Sequence, residues 1–294
     1  MLGILAGTIF GNMASATFLG WIYPGILFSQ QKLLRLGIVL YGLRVTVQDL
    51  FHLGPRALAL DLAVITSVLV IGYKFGTQVL NLDPDTALLV SMGSGICGAA
   101  AVMAADRVIE SESHKVGVAV ATVTIFGTLS MFLYPLLYPL AGLTERQFGI
   151  YTGATVHEVA QVVAAGRAVS GIAGDTAVVT KMLRVLLLAP VLFIVGRLRG
   201  KTTNGESNHI SFPWFVVWFL SVIVIQSLNA VSAGVRSNLI DLDTVLLGSA
   251  MFALGATTRW SHLMRAGSRP LLLGATLFVC LIGGGYLLTV LIVK

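Results

Sequence analysis

Residues 153–166 read GATVHEVAQVVAAG, a histidine, a glutamate and a glutamine set among alanine, valine and glycine. A polar side chain in such company is costly to bury unless it has a partner or a task. Gly153 is read as a helix break and Thr155 as the N-cap of a new helix. Glu158 follows three residues later, where a capping box would place it. Counted along a helix, His157 and Gln161 share a face and Glu158 points about a quarter-turn away. Two readings of Glu158 stay open. It is a cap, or it joins His157 in substrate contact or proton coupling, the default role of ionisable groups inside a membrane. The run also resembles a zinc-protease helix, but Gln161 stands where the second histidine belongs and is a poor zinc ligand. No metal or other cofactor is expected.

SMGSGICGAA (91–100) is the second stretch with chemical content. Gly93, Gly95 and Gly98 lower helix propensity, so the helix is expected to break here, with Ser94 capping a half-helix that starts near Gly95. A half-helix N-terminus inside a membrane offers free N–H groups and partial positive charge to an anion. Ser94, Gly95, Cys97 and Gly98 are therefore candidate substrate contacts, as are Thr155, His157, Glu158 and Gln161. The alternative is a tight helix crossing with no ligand. In TKMLRVLLLAP (180–190), Lys181 and Arg184 lie three apart on one helical face. They either snorkel to the interface or face the core and hold an anion. Asp61, five residues after Arg56, is read as half of a structural ion pair.

The elements that carry these residues are apolar throughout. Of 294 residues 56% are hydrophobic and 11% charged, against about 25% charged in soluble domains. Apolar runs long enough to cross a bilayer recur along the chain, without the alternation of a membrane barrel. The fold expected is an all-α polytopic membrane protein of about ten transmembrane segments: 1–22, 33–47, 56–77, 86–106, 115–138, 147–168, 176–198, 212–232, 241–258 and 269–293. They form one transporter domain, 1–294, with halves 1–138 and 147–294 and a polar loop at 197–211. The net charge of +6 comes from scattered loop residues rather than a basic cluster, so no nucleic-acid partner is expected. Cys97 and Cys280 both lie in apolar segments and supply no disulfide framework. The opening MLGILAGTIFG lacks the marks of a signal peptide and is read as a mature helix, although an earlier segment is left open.

Strict alternation of the loops would put Lys32, Lys74, Arg146, Arg197, Arg199, Lys201, Arg259, Arg265 and Arg269 on one side. Arg56, Arg107, Lys115, Arg167, Arg236 and Lys294 would lie on the other. The first side would be cytoplasmic. Two internal echoes complicate this order. GLRVTVQDLFHLGPRAL (42–58) matches GATTRWSHLMRAGSRPL (255–271) at Gly42, Leu50, Gly54, Arg56 and Leu58, in copies of opposite orientation, as in an inverted-repeat transporter. GSGICGAAAVMAA (93–105) matches GATVHEVAQVVAA (153–165), but those copies would be parallel if both segments simply crossed. Either a segment is re-entrant or the likeness is compositional.

SGICGAAAV, TVHEVAQVVAAG, KMLRVLLLAPV and LRLGIVLYGLRVT together resemble the YeiH-like bacterial membrane proteins, a family labelled as sulfate exporters. The likeness covers essentially the whole chain. It implies an inner-membrane carrier akin to the cation–proton antiporter and anion transporter superfamily, with interrupted, crossed helices in inverted repeats. Members carry one further N-terminal apolar segment that this sequence does not show, which leaves the segment count open. No G-x-x-x-x-G-K-[ST] loop is present, so transport would draw on a gradient of H+ or Na+. The expected function is secondary transport of a small anion, sulfate or a sulfonate, by alternating access, in the bilayer and with a homodimer left open. The alternatives are a cation–proton antiporter using Glu158 and a scaffold or intramembrane enzyme; LDPD (82–85) reads as a loop, and no G-x-S-x-G motif occurs.

Overall fold

The structure is a computed structural model that describes residues 2–199, 214–257 and 267–293. The described residues form helices and no strand: α1 (Leu2–Met13), α2 (Ala16–Phe28), α3 (Leu34–Tyr41), α4 (Val47–Lys74), α5 (Pro84–Gly95), α6 (Ala99–Ile109), α7 (Ser113–Ala141), α8 (Glu145–Thr155), α9 (Val159–Val169), α10 (Gly171–Leu186), α11 (Leu188–Leu198), α12 (Trp214–Ser227), α13 (Ala233–Thr257) and α14 (Ser268–Ile292). Among the described residues, five spans are long and apolar enough to cross a bilayer: Gly54–Val79, Ser113–Ala141, Gly171–Leu198, Ala233–Thr257 and Ser268–Ile292. This is an all-α polytopic membrane protein. The polar loop after Arg199 and most of the 255–271 echo lie outside the described residues.

The helices group into two compact units, Met1–Gly54 with Pro213–His262, and Pro55–Phe212 with Leu263–Lys294. In the first unit α1 lies along α13. Backbone atoms of Phe252 and Ala256 occupy the places that a Cβ would take at Gly7 and Gly11, the small-residue contact that lets membrane helices approach closely. Arg44, at the end of α3, donates to the buried Asp243 (Nε to Oδ2, 3.0 Å) and to Thr244 Oγ1 (2.8 Å).

The second unit contains every residue singled out above as a candidate contact. Its α5 and α6 form a re-entrant hairpin. Asp83 caps α5, accepting from the N–H groups of Asp85 (3.1 Å) and Thr86 (3.2 Å), and Pro84 takes the first helical position. After the turn at Ile96–Gly98, α6 runs back. It ends at Glu110 in the left-handed conformation, and Lys115 just beyond pairs with Asp83 (3.1 Å) and Asp85 (3.9 Å) at the start of α5. Entry and exit therefore share one face. Burial alone would raise the Asp83 carboxyl, but Lys115 and the two N–H groups hold it below the usual carboxylate range. A 12-residue helix is about 18 Å long, roughly half of a bilayer core.

A second hairpin, α8 and α9, enters from the opposite face. The 29-residue α7 spans about 43 Å between the exit of the first hairpin and the entry of the second. Thr144 and Gln147 make the capping box that starts α8. After the turn at Val156–Glu158, α9 returns: Gly149 on α8 and Gly166 on α9 both pack against the Ala173 carbonyl. Ser170 ends α9 and caps α10, accepting from the Ala173 N–H at 3.0 Å. The Gly171–Leu198 span then recrosses, and Arg199 reaches Asp85 at 2.7 Å.

These hairpins decide between the two readings of the 93–105 and 153–165 echo. The copies are re-entrant and of opposite orientation, and α6 and α9 coincide at an offset of sixty residues (99–109 and 159–169). The other echo also joins antiparallel elements. Gly54 (φ +63°) precedes the α4 span and Gly267 (φ +79°) precedes α14, while Gly72 packs on Leu277 and Gly76 on Leu273. Re-entrance also corrects the loop assignment. Arg107 and Lys115 lie on the face of Lys74, Arg199 and Arg269, and Arg146 on the face of Arg56 and Arg167.

Candidate functional site

The two hairpin tips meet at the middle of the Gly171–Leu198 span. Lys181, fully buried, donates through Nζ to the carbonyls of Ile96 and Val156, both at 2.6 Å, and so holds one carbonyl from each tip. Arg184, also fully buried, donates through Nε to the Gly95 carbonyl at 2.7 Å, and its Nη2 bonds the same oxygen. Both cations thus sit at helix C-termini, where unsatisfied carbonyls carry partial negative charge. They face the core rather than snorkel. Small residues permit this approach: Gly153 packs on Ala177 and Thr180, one turn from Lys181.

The first tip breaks later than the glycine pattern suggests. Gly93, Ser94 and Gly95 are helical, and the chain turns at Ile96, Cys97 and Gly98. The expected Ser94 cap is therefore absent. Ser94 sits in the last turn of α5, its buried hydroxyl without a partner among the described residues. Gly98 caps α6 with φ +66°, a conformation that glycine adopts at little cost. It leaves room for Glu158, whose Cγ would stand 2.4 Å from a Cβ at that position.

The second tip is also displaced. Gly153, Ala154 and Thr155 remain helical, so Thr155 is not an N-cap; its hydroxyl donates to the Tyr151 carbonyl at 2.5 Å. Glu158 is the N-cap of α9, and Gln161 accepts from the Glu158 N–H at 3.1 Å. Because residues 156–158 are not helical, His157 and Gln161 do not share a helix face. The Glu158 carboxylate takes part in the capping box that starts its own helix with Gln161, and it also faces the Ala99 N–H at the start of α6. His157 is fully buried with neither ring nitrogen partnered among the described residues, and Lys181 and Arg184 are its charged neighbours. Cys97 and Cys280 are free thiols.

Sequence reasoning missed Asp61. The expected pair with Arg56 is not formed: Asp61 is fully buried, and neither carboxylate oxygen has a hydrogen-bond partner among the described residues. Its charged neighbours are Arg184 and Lys181. Chemically, the site holds two cations engaged mainly with backbone, two carboxylates and a histidine. Among the described residues, donors and acceptors stay unmet at Arg184 Nη1, Asp61, Ser94, Thr152 and His157.

The family model described as conserved hypothetical protein 698 matches residues 1–274. The UPF0324 inner membrane protein YeiH of Salmonella typhi is 45% identical over 296 residues, 99% of this chain and 85% of that protein. YeiH of Escherichia coli K12 is 45% identical over 298 residues, 97% of this chain and 83% of that protein. A UPF0324 membrane protein of Pasteurella multocida is 43% identical over 292 residues, 98% of this chain and 87% of that protein. No solved structure matches. Five spans and these full-length relatives together identify a multi-pass inner-membrane protein that belongs to the UPF0324 family, the family of YeiH.

Proposed function

We propose that this protein is a secondary transporter of a small inorganic or organic anion, with sulfate or a sulfonate as the substrate class, working by alternating access. One observation carries the reading. Two buried cations lie where re-entrant hairpins from opposite faces meet, and one of them, Arg184, keeps Nη1 without a partner among the described residues. A charge held at mid-membrane marks a substrate or ion path. Guanidinium donors suit tetrahedral oxyanions. The anion contacts are Arg184, His157 and Ser94. The α6 N-terminus, the other natural anion site, already faces the Glu158 carboxylate, so an anion binds there only if Glu158 moves away.

The hairpins supply the two gates. The face of the first carries Lys74, Arg107, Lys115, Arg197, Arg199 and Arg269, and the face of the second Arg56, Arg146 and Arg167. The positive-inside bias makes the first face cytoplasmic. The first hairpin then opens the site inward and the second outward, and Lys181 closes both by holding their tip carbonyls. A cation–proton antiporter is the weaker reading, because a metal cation would enter beside Lys181 and Arg184.

The test is uptake of radiolabelled sulfate into proteoliposomes, with unlabelled sulfonates as competitors, beside Arg184→Gln and His157→Ala. Uptake lost in both variants supports the assignment. Absence of uptake for sulfate and for labelled sulfonates removes the substrate class.

A further inference from the structure

Asp61 has a setting that neither its helix nor its sequence neighbours explain. Along the Gly54–Val79 span, Gly76 packs on Ala87, Gly72 on Ser91, and Val68 lies 3.2 Å from where a Cβ at Gly95 would stand. This antiparallel register runs out at Gly95, the last residue of α5. Asp61 lies seven residues before Val68, about 10 Å further along the helix. It therefore lies past the end of α5, the end at which Arg184 bonds the Gly95 carbonyl. Fully buried, its carboxylate has Arg184 and Lys181 as charged neighbours and no hydrogen-bond partner among the described residues. Arg184 Nη1, in the same core, has no partner among the described residues.

The other groups are accounted for. From α10, Arg184 and Lys181 face Asp61. Cys97 of the first tip and Tyr134 of α7 face Arg184, and Glu158 of the second tip faces Lys181. His157 has those two cations as charged neighbours. Glu158 has the Ala99 N–H and the start of α6 against it. Asp61 has neither.

We propose that Asp61 is the proton-binding group of the transport cycle, protonated when the anion is bound and ionised when the site is empty, so that proton and anion move together. This rests on the anion-transport reading above. The reason is charge balance in a medium that tolerates little net charge. Empty, Arg184 and Lys181 are matched by Asp61 and Glu158. A monoanion on Arg184 brings one excess negative charge, and one proton on an Asp61 oxygen cancels it. The protonated acid also turns a repelling neighbour into an O–H donor for the anion. A dianion calls for a second proton.

The experiment uses the full chain with sulfate as probe. In proteoliposomes the wild type accumulates labelled sulfate when a proton gradient is imposed. Apparent sulfate affinity weakens about tenfold per pH unit for each proton bound with it. Asp61→Asn keeps sulfate exchange, accumulates less sulfate under the gradient, and loses about one tenfold step per pH unit from the pH dependence of its apparent sulfate affinity. A pH indicator in weakly buffered solution gives an independent measurement on the wild type, which takes up protons when sulfate is added. An Asp61→Asn variant with unchanged accumulation and pH profile, or sulfate binding without proton uptake, overturns the assignment to Asp61 and leaves anion transport standing. Absence of sulfate and sulfonate binding to the wild type at any pH removes both.

Discussion

The two hairpins share a backbone plan at an offset of sixty residues, yet their tips divide the work. The first, Gly95–Gly98, contributes backbone. Its carbonyls receive Arg184 and Lys181, and the amide at the start of α6 faces Glu158. Its own side chains, Ile96 and Cys97, carry no charge. The second, Val156–Glu158, contributes side chains. It offers one carbonyl to Lys181 and brings His157 and Glu158 to the meeting point. A helix break inside a membrane thus supplies either dipole ends or polar side chains. In a duplicated pair the two supplies separate, and each tip completes the other.

Removing the group that joins the tips has the largest effect. Lys181→Met leaves the Ile96 and Val156 carbonyls buried without their donor. At about 1–3 kcal/mol for each such acceptor, stability falls by roughly 2–6 kcal/mol, read as loss of thermal stability in detergent. Next comes the contact from the second tip to the first. Glu158→Ala removes an anionic group from the α6 start at about 1 kcal/mol, and Glu158→Gln, which keeps an acceptor, restores most of it. If Glu158 instead served its own tip alone, amide exchange would rise in α9 and not at Ala99. The smallest effect is at the entrance. Lys115→Met loosens the exposed pairing that closes the base of the first hairpin and leaves the second unchanged. Because the folded Asp83 carboxyl titrates below its unfolded value, the pairing is fully present above the unfolded value and is lost as pH falls through the folded one. The melting difference between Lys115→Met and wild type therefore shrinks in acid.

Much of this arrangement was legible in the residues. Composition and segment length identified the membrane, and the glycine-rich stretches located both breaks to within a few residues. The direction after each break was not legible. An apolar stretch interrupted at its centre has the same composition whether it goes on or turns back. The clue lay in polar residues passed over as loop: Asp83, Asp85 and Lys115 can pair only if α5 and α6 begin and end on one face. Ser94 and Thr155 failed as caps because the helices tolerate Gly93, Gly95 and Gly153 when those glycines are packed, and break instead where Gly98 and Glu158 have partners across the site. Asp61 escaped notice because its charged neighbours come from α10, more than a hundred residues away, while Arg56 stood close in sequence.

The bond between Lys181 and Ile96 bridges 85 residues, which bears on how the chain is made. At the usual rate of about 5–20 residues per second, the first hairpin leaves the ribosome roughly 4–17 s before the lysine that completes it. During that interval the Gly95 and Ile96 carbonyls lack their donors, and such a turn is not tolerated against lipid. The first hairpin must therefore wait at the insertion machinery or at the aqueous interface and be drawn into the membrane after α10 has entered. Its insertion is then a late event of assembly, although it is early in the sequence.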